Sequence, residues 1–407
     1  MVRAALVSLV VLLTSVAVRA DDPPKDFFFQ PNDRVVFLGD SITEQYQYST
    51  YVELYLTSRF PNANMVFLNA GISGDTAAGG ANRFADHVPA EKPTKILINF
   101  GMNDAGYGDF NEKANKVYIE KTEFMLAEAK KAGIKVCLLS PNAVDRRVNP
   151  NFKRYVETQK RFYAPLAELA KKHDAVFVDM YAITRAAVEA MEKDDPKAEK
   201  AKPYYDGFHT ASPGGLLMAH AILTGLKAPA MTLPSVDQTK TAEQKPDALS
   251  TTTLSFTRSV SPLSMPLMKD WVPMLPYINK FNDLNSDAVV IKSLSSGNYE
   301  MMLAGKSVGN FTEKDFAEGV NLGTLTAGPN YERGVKLLEA INAKNNKVHD
   351  RFRQVVMFQM PAWLKDVGEP LRVAERAKRL EVIEKLQKDV YTLAKPVAVE
   401  VKIVEKK

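Results

Sequence analysis

Five short apolar runs punctuate the first half of the chain: RVVFLG at 34–39, NMVFLN at 64–69, KILINF at 95–100, KVCLLS at 135–140 and AVFVD at 175–179. Each is apolar at consecutive positions rather than at alternate ones, the pattern of a parallel strand buried on both faces. Between them lie amphipathic stretches such as YVELYLTSRF and NKVYIEKTEFMLAEAKKAG, the second closing on Gly133 as a helix C-terminus does. Strands and helices alternating at this spacing predict an α/β fold, a doubly wound three-layer α/β/α sheet of about five parallel strands. In such sheets ligands sit beyond the carboxyl ends of the strands.

The pattern changes toward the middle. Residues 228–253, APAMTLPSVDQTKTAEQKPDALSTTT, lose periodicity and gain Pro, Thr and Ser, so they read as a connection. Beyond it, NYEMMLAGKSVGNF (298–311) predicts a β-hairpin turning at Gly305-Lys306, and TEKDFAEG a helix capped by Thr312. Residues 369–394 form a charged helix with Leu380, Ile383 and Leu386 on its apolar side. PVAVEVKIV then alternates Val397, Val399, Val401 and Ile403, a half-buried strand that its proline assigns to a sheet edge. The expected division is therefore a leader at 1–20, an α/β body at 21–230, a linker at 231–253 and an α+β C-terminal extension at 254–407. The extension is expected to dock on the body, because its hairpin and last strand each present one apolar face that needs cover.

Composition sharpens the class. A hydrophobic content of 45% over 407 residues is a folded chain's, not a disordered one's. The first residues carry Arg3, the apolar stretch Ala4–Val18 and then Val18-Arg19-Ala20 before DDPPK, the layout of a signal peptide cleaved after Ala20. That stretch is shorter than the roughly 20 residues of a spanning helix, an uncleaved anchor being the alternative. The implied location is secreted or periplasmic, with no membrane span once the leader is gone. Removing the leader takes away Arg3 and Arg19 and leaves 51 basic against 48 acidic residues, too small a bias for a nucleic-acid partner. The single cysteine, Cys137, excludes an internal disulfide and reads as a small buried hydrophobe. No H-x-x-x-H, C-x-x-C or acidic cluster suggests a metal, and no cofactor motif is present.

Three of the predicted strands end on polar motifs, and in a parallel sheet all three ends face one side. The first delivers Gly39-Asp40-Ser41, the second NAGISGDTA with Gly74, the third Gly101-Met102-Asn103-Asp104. DGFH, with Asp206 and His209, follows near the end of the sheet region, ahead of a helix that Ser212 and Pro213 would start. A serine hydroxyl is a poor nucleophile until an imidazole takes its proton, and a carboxylate fixes that imidazole's tautomer. Asp206 and His209 can supply such a pair within one turn, and Gly74 and Asn103 offer donors to a tetrahedral oxyanion.

These four motifs, in this order, resemble those of the SGNH or GDSL-type serine hydrolases, over roughly residues 33–225. The resemblance implies a flavodoxin-like catalytic domain with Ser41 as nucleophile, His209 as general base and Asp206 as its orienter. It also implies an oxyanion hole of the Ser41 and Gly74 N–H groups and the Asn103 side-chain amide. Ile42 stands where the family commonly has leucine, a packing position. The later part, with its hairpin and FAEGVNL segment, is similar to secreted planctomycete-like members. The absence of GxSxG around Ser41 excludes the α/β-hydrolase elbow, and peptidase activity is disfavoured.

Other roles exist for the same residues. Ser41 can cap the following helix, Asn103 and Asp104 can shape a loop, and Asp40 and Asp75 read as structural. Tyr46, Tyr48, Tyr51, Tyr107, Tyr204 and Tyr205 crowd the expected mouth, to stack on sugar or to pack helices. Arg83 either meets an acidic substrate group or ties its loop to the sheet. His87, His173, His220 and His349 read as surface or packing residues. The expected function is a secreted serine esterase removing short acyl groups, acetyl above all, from carbohydrate, its partner a small or polymeric ester. A lysophospholipase or acyl-thioesterase of the same family is separated from it by a wide acyl pocket. A non-enzymatic carbohydrate-binding module would need neither Ser41 nor His209.

Overall fold

The computed structural model describes residues 22–230, 253–260, 263–292 and 294–406, so the expected leader and most of the expected linker lie outside the described residues. Strands β1 (Arg34–Gly39), β2 (Val66–Gly71), β3 (Lys95–Asn99), β4 (Lys135–Leu139) and β5 (Val176–Val178) form one parallel sheet in the order β2-β1-β3-β4-β5. All five expected strands are present. β2 begins two residues later than its apolar run, because Asn64 takes a left-handed φ of 51° and Met65 gives its N–H to the Tyr391 hydroxyl rather than to the sheet.

The helices are α1 (Ser41–Glu44), α2 (Gln47–Arg59), α3 (Ala77–His87), α4 (Glu112–Lys131), α5 (Lys153–Tyr163), α6 (Leu166–Lys172), α7 (Met180–Asp194) and α8 (Ser212–Gly225). α2 packs against α8 and α8 against α7, whereas α3 packs against α4, giving the two outer layers. Strand interiors are buried on both faces, as their unbroken apolar runs require. Cys137 is among them and is free and fully buried.

The second part contains β6 (Thr253–Val260), α9 (Phe281–Leu284), β7 (Ala288–Val289), β8 (Asn298–Leu303), β9 (Lys306–Thr312), α10 (Glu313–Glu318), β10 (Val320–Asn321), α11 (Pro329–Arg351), α12 (Lys365–Ala394) and β11 (Val397–Lys406). Its antiparallel sheet runs β6-β11-β8-β9. Two expectations are corrected here. β11 is an inner strand, not an edge: Pro396 stands before it and so removes no ladder donor, while β6, of which only Thr253 falls in the expected linker, pairs along its length from Val260–Val397 to Thr253–Val404. The hairpin turns at Ala304-Gly305, one residue early, both at positive φ (45° and 77°) as a tight two-residue turn requires. Thr312 caps α10 as expected, in a capping box with Asp315.

α11 and α12 pack on each other and lie over α2, with α11 also against β2. Every residue of α2 from Tyr48 to Ser58 is consequently buried, polar ones included. Lys344, on α11, places its Nζ 2.8 and 2.7 Å from the two carboxylate oxygens of Glu53 on α2, with Gln387 of α12 completing the cluster. Burial pushes the Glu53 carboxyl up and the Lys344 ammonium down, each against the pull of its partner. Arg351 makes a two-pronged pair with Glu91 at 2.9 Å, and Arg376 joins the same carboxylate. Trp271, fully buried, meets the Tyr51 ring edge-on and donates to Ser212 Oγ at 2.8 Å. One hydrophobic cluster runs through both parts of the chain.

Candidate active site

Ser41 stands at the first position of α1, directly beyond the carboxyl end of β1. The Asp40 carboxylate caps this four-residue helix by accepting the Ile42 N–H at 2.9 Å, leaving the serine hydroxyl to other partners. Ser41 Oγ lies 2.8 Å from His209 Nε2, and His209 Nδ1 lies 2.6 Å from Asp206 Oδ2. The other Asp206 oxygen accepts the Phe208 and His209 backbone N–H groups at 3.1 and 2.9 Å. The 206–209 turn thus holds carboxylate and imidazole in register. Partial burial disfavours the Asp206 charge, but the bonds from the His209 ring and the two backbone donors outweigh it and hold the carboxyl below its ordinary range. An ionised acceptor at Nδ1 puts the ring proton there and leaves Nε2 to accept from the serine.

The second and third strand ends meet beside this line. Asn103 donates from Nδ2 to the Asp75 carbonyl at 2.8 Å and accepts the Tyr107 hydroxyl on Oδ1 at 2.6 Å. That pair of contacts fixes the amide's orientation and leaves one Nδ2 hydrogen uncommitted. Gly74 has φ +77° in a turn closed by Asp75 N–H to Ile72 C=O at 3.1 Å. Neither the Gly74 nor the Ser41 backbone N–H takes a partner among the described residues. The structure therefore brings Ser41, His209 and Asp206 into contact, and stations Asn103 and Gly74 on neighbouring loops.

Asp40, Asp75 and Asp104 cluster beneath the loops. Asp104 accepts the first N–H of α3, from Ala77, at 3.0 Å. Burial pushes Asp104 up to about 7, assisted by the Asp75 charge, and pushes Asp40 to about 7, assisted by both other carboxylates. Arg83, on α3 rather than on a loop, donates to Asp75 at 2.8 Å and to the Gly39 carbonyl at 3.2 Å, so it ties the loop after β2 to the sheet.

Of the six tyrosines, Tyr48, Tyr51 and Tyr204 are core residues. Tyr107 carries the Asn103 contact and packs near Phe152, Tyr155 and Phe208. Tyr205 is the outward one, 54% exposed and parallel to the His209 ring (10°, centroids 5.8 Å apart). Trp271 is enclosed in the interface, and Trp363 is 83% exposed.

Sequence reasoning missed Gln45. Its Oε1 accepts both Thr210 N–H and Oγ1–H, and its Nε2 donates to the Tyr205 hydroxyl at 3.2 Å, so one side chain joins the serine loop to the histidine loop. Its position four residues after Ser41 is a signal only once the 205–210 loop is known to lie opposite.

Residues 37–214 match the model of the GDSL-like lipase/acylhydrolase family. Over 212 residues, 47% of this chain and 92% of the relative, the chain is 26% identical to an acetylxylan esterase of Geobacillus stearothermophilus. Over 186 residues, 44% of this chain and 87% of the relative, it is 28% identical to an arylesterase of Vibrio mimicus. A gut microbial diltiazem-metabolizing enzyme superposes with a TM-score of 0.77 at 21% identity, over 93% of this chain and 98% of its own. That likeness of fold takes in the extension as well as the α/β body.

Proposed function

Residues 37–214 belong to the GDSL-like lipase/acylhydrolase family and make this chain a carboxylic ester hydrolase, and from that premise we propose that it deacylates short-chain, chiefly acetyl, esters of carbohydrate outside the cytoplasm. The observation that carries the mechanism is the hydrogen-bonded line Ser41–His209–Asp206. His209 Nε2 takes the Ser41 proton as Oγ attacks the ester carbonyl. The oxyanion of the tetrahedral intermediate is met by the Ser41 and Gly74 N–H groups and the free Asn103 Nδ2–H. Collapse expels the sugar alkoxide, which leaves with the proton from His209. Water then enters by the reverse sequence, giving its proton to His209, and acetate departs from Ser41.

Short acyl groups are supported by what lies beside Asn103. A depression of about 360 Å³ there is lined by Thr76, Ala78, Asn103, Asp104, Asn111, Lys113, Ala114 and Val117. Ala and Val offer little apolar surface to an octanoyl chain, each methylene of which gains about 0.8 kcal/mol only where it is buried. A carbohydrate alcohol is supported by the exposed Tyr205 face next to the base and by the likeness to an acetylxylan esterase. Export rests on the sequence of residues 1–20, and no helix among the described residues is long and apolar enough to cross a membrane. In this reading the chain divides into a catalytic body at 21–230, a linker at 231–253 and an extension at 254–407.

The test is a series of chromogenic esters from two to ten carbons, run beside acetate release from acetylated polysaccharides. Acetyl should exceed octanoyl by at least about tenfold in kcat/KM. Rates rising steadily to ten carbons would favour a lipase or thioesterase instead.

A further inference from the structure

We infer that the C-terminal helical hairpin sets the position of the oxyanion loop, through a relay from Arg353 and His349 to Glu44 to the Ser73–Gly74 turn. The inference rests on the reading of Gly74 N–H as an oxyanion donor and names what orients that donor.

Glu44 ends α1, three residues after Ser41. Its helix can sit against the end of β2 because residue 71 is glycine; a Cβ there would run into the Glu44 backbone. Asn69 adds a clamp, donating to the Thr43 carbonyl at 2.8 Å. From this seat the Glu44 Oε2 accepts the Ser73 N–H at 2.6 Å. Ser73 and Gly74 are the two central residues of the turn from Ile72 to Asp75, and a positive φ at the second of them is the type II pattern. In such turns the central peptide can flip, and flipping it reverses the direction of the Gly74 N–H. The Ser73 N–H lies on the peptide before that one, so the Glu44 carboxylate acts by fixing the first corner of the turn and with it the place from which the Gly74 N–H is presented.

The other Glu44 oxygen faces the extension: Arg353 Nε at 3.4 Å and His349 Nε2 at 3.7 Å. The His349 ring also meets Tyr46 at 6.1 Å between centroids. Arg353 belongs to the π-helical turn Phe352–Val356 that ends α11, a departure from α geometry that is often found at functional sites. Docking of the hairpin has other anchors, the Lys344–Glu53 and Arg351–Glu91 pairs. The Glu44 side chain is 16% exposed, whereas those of Arg353 and His349 are 40% and 42% exposed. Screened pairs of that kind contribute little to stability, so the service of the Arg353 guanidinium, with the His349 ring beside it, is to hold Glu44 in one rotamer. Arg353 and His349 are positioning residues, remote from the reacting atoms.

The test uses the full chain and a small soluble acetyl ester, with rates expressed per active site titrated by a fluorophosphonate. His349→Ala with Arg353→Ala should lower kcat by about tenfold with KM within about twofold, since a misplaced donor is felt where charge develops. Arg353→Lys should restore most of the loss in an otherwise native chain. Glu44→Gln, which keeps an acceptor for Ser73 but loses the charge, should lower kcat and abolish the sensitivity to Arg353→Ala, the non-additivity of a shared relay. Wild-type kcat per titrated site in the double variant overturns the inference, as does strict additivity of Glu44→Gln and Arg353→Ala. If the double variant fails to fold, the Glu44→Gln and Arg353→Ala cycle decides alone. Failure of the underlying reading looks different: the unaltered chain would then hydrolyse no ester, or Ser41→Ala would match it.

Discussion

The catalytic loops and the seam between α2 and the α11–α12 hairpin are both centred on charged groups, but they are assembled over different lengths of chain. Asp206 orients His209 across three residues, and Asp40 caps Ile42 across two. Lys344 finds Glu53 across 291 residues, and Arg351 finds Glu91 across 260. The exposures differ as well: Asp206 and His209 keep 36% and 21% of their side-chain surface, Glu53 and Lys344 1% and 0%. A half-exposed pair held by its own turn can be changed chemically with little effect on folding. A dry pair between distant segments specifies how they dock and is costly to break on one side only. The site should therefore govern rate and the seam stability.

Ser41→Ala makes the sharpest break between the two regions. It removes the proposed nucleophile and little buried volume, so turnover should fall by about 10⁴–10⁶-fold while the melting temperature stays within a few degrees. Residual turnover near the starting rate in a well-folded variant would remove Ser41 from the mechanism. Lys344→Met tests the other side. Leaving Glu53 without its counter-charge should reduce stability by about 3–5 kcal/mol in chemical denaturation, with kcat per titrated site unchanged. Adding Glu53→Gln, which keeps an acceptor for Gln387 Nε2, should recover at least about half of that loss. A single variant as stable as the parent would show the seam to be held by apolar packing alone.

The same difference in chain distance explains what could be read beforehand. The five parallel strands were visible as unbroken apolar runs, and the site as polar motifs at their ends, because both are written in neighbouring residues. α11 was not assigned: its buried face carries Lys344, Asn345 and Arg351 among Leu337, Leu338, Ile341 and Val348, so the apolar stripe is broken by polar groups whose partners lie in the first hundred residues. β6 went unassigned at the start of the extension, although Leu254 and Phe256 alternate with polar residues, because its pairing strand is the last in the chain. Glu44 and Gln45 go unmarked in the sequence for the same reason, their partners lying on distant loops.

Tyr107→Phe probes a contact inside the site that is intermediate in kind. Its ring packs among aromatic neighbours that phenylalanine would also satisfy, but its hydroxyl is the donor that fixes Asn103 Oδ1. Loss of that bond frees the amide to rotate, so kcat should drop by about tenfold with KM nearly constant and stability changed by about 1 kcal/mol or less. An effect confined to KM would make Tyr107 a substrate contact.

The smallest expected effect concerns the carboxylates under the loops, where the site itself carries a buried-charge cost. Asp104 is pushed to about 7 by burial first and by Asp75 after it, against about 3.8 for the same group in an unfolded chain. Between those two values the native protein retains a proton that the unfolded chain has released. Stability from this group is thus fully present below about pH 4 and declines as pH rises through 7. Asp40, raised to about 7 as well, acts in the same direction. Asp104→Asn keeps a carbonyl oxygen for the Ala77 N–H and removes the titration. Its stability relative to the parent should accordingly be greater at pH 8 than at pH 5 by on the order of 1–2 kcal/mol, and its own pH slope shallower but not flat, since Asp40 still titrates. Denaturant unfolding at the two pH values reads both quantities. Parallel slopes for parent and variant would mean that Asp104 keeps its charge in the folded protein at pH 5, and that the loops bear no more buried-charge cost than an exposed surface does.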